Sequence, residues 1–276
     1  MPPGYVPWLD AAGGSWQVRA DCLAGMAGVP AQDLLSGRGS RAGGGPGLGR
    51  GGILRFDLAG RAAVGKRSLR GGLLGPMLGG MFWGADRAVR PIDLGTRLRK
   101  AGVLTPEVLA AGSRRLLGPL HAHALITESI PGGVNLLEAL QRQPSGTDPV
   151  PLLGAAAAAI RVMHGAGFLH ADLNLANLVV EHHLSGPRVH VIDLDRGRFV
   201  SPMTPSQRAR NLARLLRSHE KWIAQSSPLR RNEAIGFLRQ YCGSDENLLR
   251  YLLEKLRRYR TGLGPRRLLW RWRTPA

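Results

Sequence analysis

The chain has 276 residues, 43% hydrophobic and 21% charged, a length and composition that suit one two-lobed globular unit better than several independent domains. Its formal net charge is +19, which no fold requires, so the excess calls for an anionic partner: a nucleic-acid backbone, an acidic membrane surface, or a phosphorylated substrate held by arginine forks. Cys22 and Cys242 stand too far apart for a metal spacing or a disulfide framework, and no run approaches the ~20 apolar residues of a membrane span, which leaves a cytoplasmic protein with reduced thiols as the expectation.

Lysine occurs only at 66, 100, 221 and 255, so arginine carries most of the positive charge. GC-rich coding sequence explains arginine replacing lysine; it does not explain the shortage of acids. The N-terminus has no basic segment followed by an apolar one, and no signal peptide is expected.

Residues 1–35 read as an N-terminal extension packing on the first lobe, with one amphipathic turn from Val29 to Leu35. Residues 36–52 (SGRGSRAGGGPGLGRGG) are dominated by glycine with arginine interspersed. Three readings fit such a stretch: a flexible linker, an arginine-glycine nucleic-acid segment, or a loop whose backbone N–H groups approach phosphates because no side chain holds them off. Two strand candidates follow, ILRFDLAG and RAAVGKRSL, separated by a turn at Gly60, and Lys66 stands near the end of the second. The apolar, Gly-rich run that holds Leu73, Leu74, Met77, Leu78, Met81, Phe82 and Trp83 reads as a loop, either a buried lobe connection or a patch that touches lipid.

A basic helix is predicted over Arg90–Ala101, with Pro91 in its first turn and Asp93 as its acid. Then come a turn through Pro106 into a strand, a second strand (HAHALITESI) through Glu128, and a hinge at Pro131–Gly133. Short and Ala-rich helices follow, at Asn135–Leu140 and Leu152–Gly165. Three Arg- and Leu-rich helices with basic outer faces close the chain, ahead of a tail, RRLLWRWR, read as interfacial. The expected layout is an extension at 1–35, a small, mostly β lobe at 36–130, a larger helical lobe at 131–262 and a basic tail at 263–276.

The chemistry concentrates between His164 and Gly197, in HGAGFLHADLNLANLVVEHHLSGPRVHVIDLDRG. Phosphoryl transfer asks little covalent help from a protein and much positioned charge. Asp172 is the candidate carboxylate that orients an acceptor hydroxyl and takes its proton. Asn177, five residues on, and Asp193, ending a strand-like run, supply the hard oxygen ligands that Mg²⁺ takes. Lys66 could reach the α/β-phosphates of ATP, and Asp93 could pair with it. His170 supports the loop and does not move protons. Asp195 either assists the metal or makes a structural bond.

These residues carry a resemblance. HGAGFLHADLNLANLVV followed by VIDLDRGR, together with GRGS, AVGKRSLRGG and NLARLLRSHEKW, resembles the bacterial lipopolysaccharide kinase family, most closely its 3-deoxy-D-manno-octulosonic acid (Kdo) kinases, over roughly residues 36–220. Leu194 replaces the usual aromatic between the two acids, and Asp93 would stand for a helix glutamate. The resemblance implies a protein-kinase-like α+β fold and transfer of the ATP γ-phosphate to a Kdo hydroxyl of the lipopolysaccharide inner core at the cytoplasmic face of the inner membrane. It also implies nucleotide contacts from Gly37, Gly39, Ser40, Lys66, Asp93 and Glu128, catalysis by Asp172, and Mg²⁺ on Asn177 and Asp193. A related kinase of a heptose, another small molecule or a protein is the alternative. A basic nucleic-acid-binding protein, with the Gly-Arg loop and basic helices as its surface, is the alternative from another class and predicts salt-dependent binding that survives loss of Asp172 and Asp193. A scaffold that binds nucleotide without transferring phosphate would have no need of Lys66, Asp172, Asn177 and Asp193 together, and under the kinase reading no nucleic-acid partner is expected.

Overall fold

The computed structural model describes residues 2–36, 53–68, 81–84, 86–143, 147–224 and 229–262. Two compact units emerge: Met1–Arg97 with Pro106–Ile130, and Leu98–Thr105 with Pro131–Ala276. The expected GRGS phosphate loop, with Gly37, Gly39 and Ser40, and the basic tail at 263–276 lie outside the described residues.

The first unit is an antiparallel sheet. Its strands are β1 (Tyr5–Leu9), β2 (Ser15–Arg19), β3 (Ile53–Leu58), β4 (Arg61–Arg67), β5 (Met81–Trp83), β6 (Val108–Leu117) and β7 (Leu120–Glu128), in spatial order β1-β2-β6-β7-β4-β3 with β5 also on β7. β3 and β4 are the hairpin foreseen around Gly60, where φ is +78° and glycine meets no steric penalty. β5 falls inside the stretch read as a loop; Phe82 pairs with His121 and stacks on His123 at 4.9 Å.

Residues 1–35 do more than pack on this lobe. β1 and β2 extend the sheet beyond β6, and α1 (Ala31–Ser36) lies on one face of it. The turn between β1 and β2 is held by Asp10, whose Oδ1 accepts the N–H groups of Ala12 and Gly14 (both 2.8 Å) while Oδ2 accepts the Trp16 indole N–H at 3.0 Å. Strand alternation then sends Trp16 and Val18 into a cluster with Cys22, Met26, Leu34, Leu35, Ala63 and Ile126. Each fully buried large side chain there contributes about 1.5–3 kcal/mol. On the other face Tyr5, Val108 and Ala111 meet Ile92 from α2 (Arg90–Lys100), the predicted basic helix. Near the end of the sheet, Arg19 and Arg61 share the carboxylates of Asp21 and Glu107.

The second unit is mostly helical: α3 (Leu136–Gln141), α4 (Val150–Gly165), α5 (Pro205–Trp222), α6 (Arg231–Cys242) and α7 (Glu246–Thr261). Asn135 caps α3 by accepting the Glu138 N–H, and Thr204 forms a capping box with Gln207 on α5. α4 is the predicted Ala-rich helix; it buries Ala156, Ala157, Ile160 and Met163 and packs on α6. Two small ladders complete the unit, β8 (Val134–Asn135) with β10 (Leu178–His183) and β11 (Gly186–Val191), and β9 (Phe168–Leu169) with β12 (Arg198–Phe199). Segment 98–105 joins this unit, where the Leu104 carbonyl accepts the Val191 N–H at 2.8 Å. No described helix is long and apolar enough to cross a membrane.

Candidate active site

The loop from His170 to Leu178 is pinned by alternate apolar residues: Leu173, Leu175 and Leu178 are buried, leaving Asp172 exposed and Asn177 half-buried. Asn174 starts the 3₁₀ turn Leu175–Asn177, its Oδ1 accepting the N–H groups of Ala176 (2.9 Å) and Asn177 (3.1 Å). Its Nδ2 donates to the Asp172 carbonyl at 3.2 Å, and Asn177 Nδ2 donates to the same oxygen at 2.8 Å. The Asn174 side chain and the Asn177 NH₂ group are therefore committed to the loop's own backbone, as Asn side chains favour in turns.

His170 is the hub. The Asp172 N–H lies 3.1 Å from Nδ1, so that nitrogen is the acceptor and the proton sits on Nε2, which donates to the Ile192 carbonyl at 2.9 Å. Burial pushes the His170 pKa down, which keeps the ring neutral and able to accept at one edge while donating at the other. The ring thus ties the residue before Asp193 to Asp172, and the Ile192 N–H donates to the Asn177 carbonyl at 3.0 Å. The predicted supporting role of His170 has this physical basis.

Asp193 adopts the left-handed conformation (φ +65°, ψ +51°), which Asp and Asn tolerate better than most residues, and opens the 3₁₀ turn Leu194–Arg196. Leu194 is buried, so a leucine in place of an aromatic fills a packing position. Asn177 keeps only its carbonyl oxygen for a ligand, because its NH₂ group is used on Asp172. That oxygen and the Asp193 carboxylate are hard donors of the kind Mg²⁺ takes.

In the first unit, Lys66 lies on β4 opposite Ile53 and Leu125, and Asp93 is exposed in the first turn of α2. The Glu128 N–H donates to the Glu107 carbonyl at 2.8 Å, and its carboxylate lies 3.5 Å from Arg61. Sequence reading missed His164, Asn211 and Tyr241, which form a buried hydrogen-bonded column behind the loop: His164 Nδ1 is 2.7 Å from the Tyr241 hydroxyl and Nε2 is 2.9 Å from Asn211 Oδ1. The partners of these three side chains lie far apart in the chain, so the bonds to the His164 ring do not follow from spacing.

Burial pushes the His164 pKa down to about 4 from its ordinary 6.5. The unfolded chain takes up this proton near pH 6.5 and the folded chain only near 4. Stability is therefore full above about 6.5 and is lost as pH falls toward 4, by about 3 kcal/mol. Buried His170 acts in the same direction. Thermal unfolding between pH 7.5 and pH 4.5 should show a loss that shrinks in His164→Gln; an equal loss in that variant would contradict the assignment.

Comparison with known proteins places this arrangement. Residues 52–241 match the family model described as "Lipopolysaccharide kinase (Kdo/WaaP) family". Among curated relatives, the 3-deoxy-D-manno-octulosonic acid kinase of Vibrio cholerae is 31% identical over 160 residues, 56% of this chain and 64% of the relative. The proteins of the same name from Vibrio parahaemolyticus and Haemophilus influenzae are 31% and 28% identical, over 55% and 50% of this chain and 62% and 56% of theirs. The chain thus spans less than two thirds of the length of the curated relatives it matches. A solved structure titled "WaaP in complex with acyl carrier protein" superposes with a TM-score of 0.51 at 24% identity, covering 75% of this chain and 84% of that one, which fixes the protein-kinase-like α+β fold. The family match covers the strand with Lys66 and the loop with Asp172, Asn177 and Asp193, and on that match the chain belongs to the lipopolysaccharide kinase (Kdo/WaaP) family.

Proposed function

We propose that this protein transfers the γ-phosphate of ATP to a Kdo hydroxyl of the lipopolysaccharide inner core, working peripherally on the cytoplasmic face of the inner membrane. The observation that carries this reading is the single histidine, His170, that fixes both the Asp172 amide and the residue before Asp193. A carboxylate on a loop held at both ends is preorganised to orient an acceptor hydroxyl and take its proton as the hydroxyl oxygen bonds to the γ-phosphorus and the bond from that phosphorus to the bridging oxygen breaks, releasing ADP. Asn177 Oδ1 and the Asp193 carboxylate would hold Mg²⁺, which when bound would neutralise charge on the phosphates. Lys66 adds a compact cation for the α/β-phosphates, with Asp93 orienting it. Glu128 is assigned to a further nucleotide contact, as are Gly37, Gly39 and Ser40, which lie outside the described residues.

Charge supports the choice of acceptor. Arg210, Arg214 and Arg217 are exposed on α5 at spacings of one helical face, and Arg250, Lys255, Arg257 and Arg258 are exposed on α7. Such faces concentrate a protein at anionic lipid by about 1 kcal/mol per basic residue near the surface. The test is incubation of the purified protein with γ-labelled ATP and Mg²⁺, offering Kdo-lipid A in one reaction and lipid A without Kdo in another. Label is expected on Kdo-lipid A alone and should vanish with a chelator. Equal labelling of both lipids would move the acceptor off Kdo; labelling of neither would overturn the reading.

A further inference from the structure

His164 and Asn211 are polar side chains that the proposed chemistry does not use, yet they are only 1% and 2% exposed. An unpaired polar group at such depth costs about 1–3 kcal/mol, so their partners can be assigned donor by donor. Asn211 has one atom 2.6 Å from the His170 carbonyl, which only accepts, so that atom is the donor Nδ2. Asn211 Oδ1 then faces His164 Nε2 at 2.9 Å, and Nε2 must carry the proton. The neutral ring leaves a lone pair on Nδ1, and the Tyr241 hydroxyl donates to it from 2.7 Å. The hydroxyl oxygen accepts from Arg208 Nη1 at 3.1 Å.

Four hydrogen bonds consequently run in one direction, from Arg208 on α5 through Tyr241 on α6, His164 on α4 and Asn211 on α5 to the main chain of His170. His170 is the residue whose ring holds the Asp172 amide. Aligned chains of this kind polarise one another and favour a single arrangement. Tyr241 is 1% exposed and meets His164 edge-on at 5.6 Å between ring centres, so its hydroxyl has one productive orientation.

We propose that Tyr241 is a positioning residue for Asp172, acting through His164, Asn211 and the His170 backbone; this rests on Asp172 being the base of the proposed phosphoryl transfer. Tyr241→Phe keeps the ring and removes the donor, leaving His164 Nδ1 and Arg208 without their partner. Packing alone predicts no change per folded molecule. Positioning predicts a fall of roughly tenfold in kcat with KM for ATP within about twofold, because small displacements of a reacting group are amplified in rate.

The experiment has two arms. In the first, kcat and KM are measured for wild type, Tyr241→Phe, His164→Gln and His164→Leu, well below each melting temperature. Glutamine can donate to Asn211 and accept from Tyr241, so it should restore most of kcat, whereas leucine should not. In the second, amide hydrogen exchange at Asp172 is followed by NMR and should speed up in Tyr241→Phe and His164→Leu but not in His164→Gln. Wild-type kcat and wild-type Asp172 protection in Tyr241→Phe would overturn the proposal, as would glutamine and leucine behaving alike. A wild type that transfers no phosphate would sink the kinase reading alone, and the exchange arm would still decide the role of Tyr241.

Discussion

Asp172→Asn should lower phosphate transfer by about 10²–10⁴-fold while leaving ATP binding and melting temperature near those of the wild type. The reason lies in the division of labour at this residue. Its main chain is structural: the N–H is held by His170, and the carbonyl accepts from both Asn174 and Asn177. Among the described residues its carboxylate makes no hydrogen bond or ion pair, and the residue is exposed. Asparagine preserves the backbone and the shape but cannot take a proton at neutral pH. Label transfer to Kdo-lipid A, measured beside a thermal melt and an ATP titration, separates these effects. Transfer at the wild-type rate would remove Asp172 from the catalytic role.

Gly112→Ala should be the most damaging single methyl in the first unit, at about 3 kcal/mol, near the upper end for overpacking a well-filled core. Gly112 pairs with Trp16 across β2 and β6, and a Cβ added there would fall 2.2–2.5 Å from the Trp16 ring. The ring cannot retreat: Trp16 is fully buried and its indole N–H is held by Asp10. For a protein of this size, a loss of that order lowers the melting temperature by roughly 10 °C. Trp16→Leu in the Gly112→Ala background should recover part of it by removing the ring. A melt within a degree of wild type for Gly112→Ala would show that the β2–β6 contact is looser than drawn.

Trp16 also marks a place where local pattern misleads. Residues 1–35 carry Pro, Gly and scattered apolar groups with no sustained period, and nothing in them announces a sheet partner. Their partner, β6, lies about a hundred residues away, and a glycine there makes room for the indole. Long-range pairing of this kind is set by matching shapes, which spacing does not record. β5 is a like case: three residues in an apolar, Gly-rich run pair with Leu120–Ala122 of β7, the part of that strand that lies beyond its pairing with β4.

The loop proposed to carry the chemistry has a local geometry that was legible for the opposite reason. Asp172, Asn177 and Asp193 lie within about twenty residues, on a turn and a hairpin whose geometry follows from local rules: alternate leucines facing inward, Asn caps, and an acid in the left-handed region. The order of chemical groups along the chain is then nearly their order in space. Supporting residues obey no such constraint. Tyr241 is 77 residues from His164, and Asn211 is 41 from His170.

The sequence by itself therefore determined the two-lobed α+β class, the loop that carries the acid, amide and second acid, and the basic helix faces, because each is written in local period or spacing. The tertiary structure alone decided that the first 35 residues extend the sheet and that a tyrosine, a histidine and an asparagine from three helices stand in one column behind Asp172. Burial is the physical reason. Once a polar group is removed from water it must find a partner, and which partner it finds depends on how the helices pack.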